Sequence, residues 1–370
     1  MVKNIAIVSL SSGTIGEAFA AHEVEIGIRR LKEYGLNVIM MPHAQKGIEY
    51  VKNHPEDRAK DLLQAFSDDS IEMILCAIGG DDTYRLLPYL FEHKELQKAL
   101  NKKIFLGFSD TTVNHLMLHK LGLNTFYGQS FLADICEMDH EMLPYTATYF
   151  EELIQTGKIA KIEPSDVWYE ERTDWSPAAV GTSRIAHPNE GFLLLQGSPV
   201  FQGKILGGCL EVLYDIFDNS RYADSVSMCE KYELFPPKED WAGKILLLET
   251  CEEQPVPQLY RKMVQTLKKT GIFEVISGII CGKPMDELYF EEYKKILVEE
   301  VADPTLPIVA NVNIGHATPR CIIPFGVVAA ITRSNSLRGS LAISCTSSEP
   351  VCSGVSPAAL SPPAGVKNSP

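Results

Sequence analysis

Short apolar runs alternate with stretches of helical spacing through the first third of the chain. The apolar runs, which we predict to be strands, are 5–10, 38–41, 73–78 and 104–106. The stretches between them, which we predict to be helices, are 17–34, 57–66 and 84–100. Apolar strands that alternate with helices predict a parallel sheet flanked by helices, in which ligands bind at the carboxyl ends of the strands.

A similar alternation returns after an irregular segment. Residues 159–189 are rich in Pro, Trp, Glu and Ser and have little periodicity, which indicates a connection between domains with a long loop. Beyond it we predict a Gly-rich turn at Gly207-Gly208. The predicted strands are 193–195, 245–249, 275–281, 308–310 and 327–331, and the predicted helices are 209–217, 257–270 and 288–302.

These patterns predict an α/β protein of two domains. The first, over 1–160, is a Rossmann- or flavodoxin-like domain with a parallel sheet, and 161–190 is a connecting segment with a substrate loop. The second α/β domain covers 191–332. Residues 333–370 are dominated by Ser, Pro, Ala and Gly and contain one acidic residue, Glu349, so we expect a disordered tail foreign to the rest of the chain.

Composition argues against some classes of function. The formal net charge of −14 argues against a nucleic-acid partner, which normally meets a basic surface. Nine cysteines, without a Cys-x-x-Cys pair, indicate reduced thiols in a cytoplasmic protein. The apolar run 5–10 is too short for a signal peptide, and we find no run long enough to span a bilayer.

The stretch Gly107-Phe108-Ser109-Asp110-Thr111-Thr112 lies where a predicted strand ends and a helix begins. A serine on such a turn is typical of a nucleophile elbow, and the free N–H groups of the helix start can hold an oxyanion. The alternative is a helix N-cap, which Ser, Asp and Thr all favour.

A second loop, Gly79-Gly80-Asp81-Asp82, follows another buried strand. Paired glycines let the backbone approach a ligand closely. Similar Gly-Gly-Asp loops occur in NAD kinases and related phosphotransferases. Here Asp82 takes the place of a third glycine and puts negative charge where a phosphate would bind, which weakens that interpretation.

Two further residues have the chemistry of a catalytic site. Glu249 ends a wholly apolar strand, and His316 lies in a loop bounded by Gly315 and Pro319. A loop histidine near a strand end is a candidate general base. Taken separately, Glu249 is better explained as a solvated strand end or a helix cap, and His316 is equally explained as an ordinary surface residue. His115 and His119 have a spacing of four, but no Glu follows His115 as in zinc proteases, so we expect no metal.

Six stretches in a fixed order resemble the LD-carboxypeptidase family of serine peptidases, and more narrowly its microcin C immunity branch. They are 77–83, 107–112, 127–128, 207–211, 248–250 and 315–319, and the resemblance covers about 3–331. It implies two α/β domains, the second of swivelling type, with the active site between them. It also implies a homodimer and no cofactor.

The resemblance further implies a catalytic triad in which Ser109 is the nucleophile, His316 the general base and Glu249 the carboxylate that orients the imidazole. It places the oxyanion hole at the backbone N–H groups of Gly80 and Asp110.

Substrate contacts are implied for Asp81, Trp168 and Trp175. The two tryptophans lie in the irregular segment and are suited to stacking on an adenine, although they are equally suited to packing at the domain interface. The expected substrate is a small peptide or peptidyl nucleotide. The scissile bond is either the L,D-peptide bond of a muramoyl tetrapeptide or the amide of an aminoacyl or peptidyl nucleotide such as microcin C.

Two alternatives from other classes stay open. A phosphotransferase built on the Gly-Gly-Asp loop would bind ATP or NAD and require a divalent metal. A non-catalytic α/β ligand-binding protein would bind without turnover and would not need Ser109.

Overall fold

The computed structural model describes residues 1–333 and 341–346, which form two large sheets, one two-stranded sheet and the helices that cover them. The strands are β1 Asn4–Val8, β2 Asn37–Met40, β3 Met73–Cys76, β4 Ile104–Gly107, β5 Thr125–Tyr127, β6 Lys161–Ile162, β7 Val167–Tyr169, β8 Ala186–Pro188, β9 Leu193–Gln196, β10 Phe201–Cys209, β11 Ile245–Glu249, β12 Gly278–Gly282, β13 Ile308–Val312, β14 Ile323–Phe325, β15 Val328–Arg333 and β16 Leu341–Cys345. The helices are α1 Ala21–Glu33, α2 Ile48–Asn53, α3 Pro55–Ser67, α4 Leu87–Phe91, α5 Glu95–Ala99, α6 Thr112–Lys120, α7 Pro144–Thr156, α8 Leu210–Asp215, α9 Ser225–Lys231, α10 Pro257–Lys269 and α11 Phe290–Val301.

The first sheet has the order β14-β5-β4-β3-β1-β2. Strands β1 to β5 pair in parallel, and β14 returns from the C-terminal part of the chain to pair antiparallel with β5. Every residue of β3 is buried, as expected where helices cover both faces of a parallel sheet. The predicted α/β class with a parallel first sheet is confirmed.

The second sheet has the order β6-β16-β15-β10-β11-β12-β13-β9. Its centre, β10 to β13, is parallel, and antiparallel strands flank that centre on both sides. The two sheets meet where β10 ends and α6 begins, because Thr112 Oγ1 accepts a hydrogen bond of 3.0 Å from the backbone N–H of Cys209. The carboxyl ends of β4 and β11 therefore lie close together.

Two predicted elements within the two domains were wrong. The expected single helix over 84–100 is a 3₁₀ turn followed by α4 and α5, and Lys94 between these helices has a left-handed φ of 63°. The predicted turn at Gly207-Gly208 is instead the end of β10, with φ values of 143° and 142°. Side chains at these glycines would collide with Leu247 and Thr112, so glycine serves close packing here and not a reversal of the chain.

The expectation of a disordered tail was also wrong in part. Residues Leu341–Cys345 form β16, which pairs with β15 and β6, and Ile343 is completely buried. A five-residue apolar strand is hidden when composition is averaged over 38 mostly small and polar residues. The rest of the predicted tail, 334–340 and 347–370, lies outside the described residues. No helix in the described ranges has both the length and the apolar character required to cross a membrane.

Candidate active site

Ser109 lies on a sharp turn between β4 and α6. Its φ of 65° is uncommon for a residue other than glycine, and a 3₁₀ turn over Ser109–Thr111 leads directly into α6. A Cβ at Gly79 would lie 2.6 Å from Ser109 Oγ, so glycine there leaves room for the hydroxyl. The turn thus has the geometry of a nucleophile elbow, which holds the hydroxyl at the edge of the sheet.

His316 and Glu249 lie beside this hydroxyl. The distance from Ser109 Oγ to His316 Nε2 is 3.1 Å, and His316 Nδ1 lies 2.8 Å from Glu249 Oε2. All three side chains are buried. They come from the ends of strands in both sheets, since Ser109 follows β4, Glu249 ends β11 and His316 follows β13. The structure thus brings together the three residues that the sequence analysis proposed as a triad.

Tyr127 connects two of these residues. Its hydroxyl donates a hydrogen bond of 2.6 Å to Glu249 Oε1 and accepts one of 3.2 Å from the backbone N–H of Ser109. Both oxygens of Glu249 are therefore engaged, one by His316 and the other by Tyr127. Sequence reasoning assigned Tyr127 no role, although its position before Gly128 at the end of β5 was an available signal.

A second carboxylate, Glu252, reaches the same imidazole nitrogen as the serine. Its Oε2 lies 3.1 Å from His316 Nε2, and two thirds of its side chain is exposed. Burial lowers the pKa of His316, but the charge of Glu249 and the hydrogen bonds to both glutamates outweigh this and raise that pKa well above its usual value. The hydrogen bond to His316 lowers the pKa of Glu252 to about 2. Sequence reasoning missed Glu252, which follows β11 by three residues.

The glycine loop is fixed against Ser109 by polar contacts. Asp110 Oδ2 accepts hydrogen bonds of 2.6 Å from Ser11 Oγ and 2.9 Å from the backbone N–H of Thr83, and burial raises the pKa of Asp110 to about 6. Asp82 forms a buried ion pair of 2.6 Å with Arg58. The Asp82 carboxylate therefore fixes the loop from within the protein.

Ser109 opens into a cavity of about 330 Å³. Its lining includes Gly80, Asp81 and Asp110 from the glycine loop and the elbow. The charged side chains in its wall are mostly acidic, namely Asp81, Asp82, Asp110, Glu211, Asp215, Glu252 and Glu253, against Lys52 and Arg221. Arg221 is itself paired with Asp215 at 3.0 Å and with Glu253 at 2.8 Å.

Neither predicted substrate tryptophan lines this cavity. Trp168 lies in β7 and stacks on His187 with ring centres 4.5 Å apart, whereas Trp175 is 42% exposed. The strand of Trp168 is nevertheless close to the histidine loop, because the N–H of Tyr169 donates a hydrogen bond of 2.9 Å to Thr318 O. Of the three predicted substrate contacts, the structure places only Asp81 in the cavity wall.

The histidine pair on α6 does not form a metal site. His115 is buried, with Nδ1 at 2.7 Å from Thr125 Oγ1 and Nε2 at 3.0 Å from Gly107 O. Burial lowers its pKa to about 4. Both ring nitrogens thus have protein partners, as in an ordinary core histidine.

Comparison with known proteins identifies the family. The model of the LD-carboxypeptidase N-terminal domain matches residues 5–128, and that of the C-terminal domain matches 202–331. A solved structure of an MccF-like protein from Streptococcus pneumoniae in complex with AMP is 65% identical. The match covers 93% of this chain and 99% of that one, with a TM-score of 0.90.

Two curated relatives are more distant. A probable murein peptide carboxypeptidase of Bacillus subtilis is 25% identical over 81% of both chains. The microcin C7 self-immunity protein MccF of Escherichia coli is 24% identical over 84% of this chain and 85% of its own. With family models matching both halves of the chain, this protein belongs to the LD-carboxypeptidase family and is a serine carboxypeptidase-type hydrolase.

Proposed function

We propose that the protein hydrolyses an amide bond through a triad of Ser109, His316 and Glu249. The observation that carries this proposal is the continuous chain of contacts from Ser109 Oγ through the imidazole to Glu249, at 3.1 and 2.8 Å. A serine hydroxyl is a weak nucleophile until a base accepts its proton, and the base needs a partner that fixes its tautomer. The three side chains provide these functions in one buried line.

The reaction follows from this arrangement. Ser109 Oγ attacks the carbonyl carbon while His316 Nε2 accepts the hydroxyl proton, and the carbonyl oxygen becomes an oxyanion. The N–H groups of Gly80 and Asp110 would hold that oxyanion. His316 then donates the proton to the leaving amine, and the amide C–N bond breaks. A water molecule, deprotonated by His316, releases the acyl group and restores Ser109.

The charge of the cavity favours an aminoacyl or peptidyl nucleotide as the substrate. A carboxypeptidase that releases a free amino acid must hold that residue's carboxylate, yet the wall carries more carboxylates than cations and Arg221 is already paired. The ammonium group of an aminoacyl nucleotide fits this charge, whereas its phosphate, like a carboxylate, requires a cation such as Lys52. The relative at 65% identity was solved with AMP, which supports a nucleotide portion.

A muramoyl tetrapeptide is the second candidate substrate. One curated relative is a probable murein peptide carboxypeptidase, and Lys52 in the cavity wall is a cation for a terminal carboxylate. The phosphotransferase alternative has no comparable support, because Asp82 is occupied by Arg58 and both family models are hydrolase models.

The experiment compares wild type with Ser109→Ala on two substrates, an aminoacyl sulfamoyl adenosine and a muramoyl tetrapeptide ending in L-Lys-D-Ala. Ser227→Ala, an exposed serine in α9, is the matched control. We expect Ser109→Ala to lower turnover by roughly 10⁴ to 10⁶. Binding of AMP, measured by calorimetry, should stay close to wild type because the fold and the cavity persist.

The two substrates separate the outcomes. Faster cleavage of the adenosine derivative supports the nucleotide proposal, whereas cleavage of the tetrapeptide alone assigns the protein to murein recycling. Equal turnover by Ser109→Ala and wild type would refute the triad, and tight AMP binding without turnover of either substrate would favour the non-catalytic alternative.

Cytoplasmic location and homodimeric assembly stay predictions. Fractionation of cells that produce the full chain tests the first, and sedimentation equilibrium tests the second.

A further inference from the structure

Two buried cysteines and a glutamate form a cluster in the wall of the cavity beside Ser109. Cys209 ends β10, Glu211 lies in the first turn of α8, and Cys251 follows β11 by two residues. Their sulfur atoms and one carboxylate oxygen all lie within 4.8 Å of one another. All three residues line the cavity.

Strand pairing and hydrogen bonds hold the three residues of the cluster close together. Cys209 is the register partner of Glu249 in the parallel pair β10–β11, so Cys251 is only two residues beyond that partner. Glu211 Oε1 accepts a hydrogen bond of 3.1 Å from the backbone N–H of Cys251, and Glu211 Oε2 accepts one of 3.3 Å from Cys209 Sγ. One carboxylate oxygen is therefore anchored while the other points at a thiol.

No cation of the described chain faces the carboxyl group of this cluster. Glu211 is 3% exposed, and no Lys, Arg or His in the described part of the chain lies within ion-pair distance of it. Its hydrogen-bond donors are a neutral amide and a neutral thiol. A buried carboxylate without a counter-charge is costly, and the nearby carboxylates of the cavity add further negative potential.

We propose that Cys209, Glu211 and Cys251 bind a thiophilic divalent cation of the Zn²⁺ class. Zn²⁺ takes thiolates at about 2.3 Å and carboxylate oxygens at about 2.0–2.2 Å, so ligands lie about 3.5–3.8 Å apart in a tetrahedral site. The cluster needs to contract by at most about 1 Å. The fourth position opens to the cavity and takes water. Thiolate ligands disfavour Mg²⁺ and Ca²⁺.

Binding changes the protonation of the cluster in a defined way. The cation replaces one proton on Cys209 Sγ and one on Cys251 Sγ, forms two metal–sulfur bonds and one bond to the Glu211 carboxylate, and releases the two protons to solvent. No electrons are transferred. Zn²⁺ affinity should therefore rise with pH.

The test is a titration of the full chain, stripped with a chelator and kept reduced by a phosphine. Co²⁺ is added first as a spectroscopic probe, because thiolate ligation gives a charge-transfer band, and Zn²⁺ is then added to displace it. The variants are Cys209→Ser, Cys251→Ser and Glu211→Gln. The matched control is Cys281→Ser, a buried thiol in the neighbouring strand β12 and outside the cluster.

We expect one Co²⁺ per chain with a thiolate band, and a loss of at least about 100-fold in Zn²⁺ affinity in each cysteine variant, with Cys281→Ser like wild type. Absence of the band in wild type, or Zn²⁺ binding by both cysteine variants that equals binding by wild type, would overturn the proposal. The second result would place the ion elsewhere, for example at His316 and Glu252.

Alkylation of wild type keeps the test decisive if a variant fails to fold. Saturating Zn²⁺ should protect Cys209 and Cys251 from an alkylating reagent and leave the modification of Cys281 unchanged, as read by mass spectrometry. Equal modification of Cys209 and Cys251 with and without Zn²⁺ would contradict the site. Neither readout depends on hydrolysis, so failure of this proposal is distinct from failure of the triad.

Discussion

Replacing Glu252 by Gln should move the pH dependence of hydrolysis to lower pH. The general base must be neutral, with its Nδ1 proton directed at Glu249 and its Nε2 lone pair directed at Ser109. Glu252 Oε2 lies 3.1 Å from that same Nε2 and favours the charged imidazolium. In wild type this interaction contributes to the raised pKa of His316. Activity should therefore be lost as the pH falls through this raised pKa.

The magnitude follows from the distance. Two unit charges separated by 3.1 Å attract by about 1.3 kcal/mol at the dielectric constant of water, which corresponds to about one pKa unit. The exposure of Glu252 justifies the value for water, because solvent screens the pair. The Glu252→Gln substitution removes the charge and keeps the shape of the side chain, so the acid limb of kcat/KM should shift down by about one pH unit.

The assay is kcat/KM of the better substrate across pH in a buffer that contains a chelator. Glu253→Gln is the matched control, because Glu253 is adjacent and also exposed but pairs with Arg221 at 2.8 Å. An acid limb that stays in place in Glu252→Gln, or that moves to higher pH, would refute the reasoning. An equal shift in Glu253→Gln would show that the effect is general cavity charge and not contact with the base.

Three further substitutions test the proposed active site and the contacts that stabilise the fold. Tyr127→Phe leaves Glu249 without its second partner and should lower kcat by about tenfold with little change in KM, as measured by steady-state kinetics. Arg58→Met leaves the buried Asp82 with Arg85, whose Nε lies 3.7 Å from Asp82 Oδ2, as its remaining cation among the described residues, and should cost about 3 kcal/mol of unfolding free energy in denaturant titrations, with partial recovery when Asp82→Leu is added. Ile343→Ala should cost about 2–5 kcal/mol in the same titration, whereas an unchanged midpoint would contradict packing of β16.

Local sequence patterns predicted the strand ends at which the proposed catalytic residues lie. A buried apolar run that stops at Glu249, or at a Gly-x-Ser before a helix, is visible in the chain itself. The pairing of those ends is not visible, since Ser109 and His316 are 207 residues apart. Each residue alone was explained at least as well as a cap or a surface group, and only the fixed order of the family motifs made the combination specific.

The residues that sequence reasoning missed are brought together by strand pairing within the second sheet. Glu252 looks like any loop carboxylate, and its contact with His316 exists only because β11 and β13 belong to one sheet. The cluster of Cys209, Glu211 and Cys251 was hidden for a similar reason, because cysteines in apolar runs look like core residues. Strand β16 was missed because its four apolar residues are outweighed by the composition around them.

Tyr127 connects residues of the proposed triad that come from the two sheets. Ser109 follows β4 of the first sheet and Glu249 ends β11 of the second, so the proposed triad depends on how the sheets are placed. The contact between Thr112 and Cys209 holds them where β10 meets α6, and Tyr127 bonds to both the Ser109 amide and Glu249. Because one hydroxyl connects the Ser109 amide and the Glu249 carboxylate, a displacement of either sheet would alter these hydrogen bonds as well as the contact between His316 and Ser109. The tyrosine is therefore expected to position the proposed triad, although it does not touch the reacting atoms.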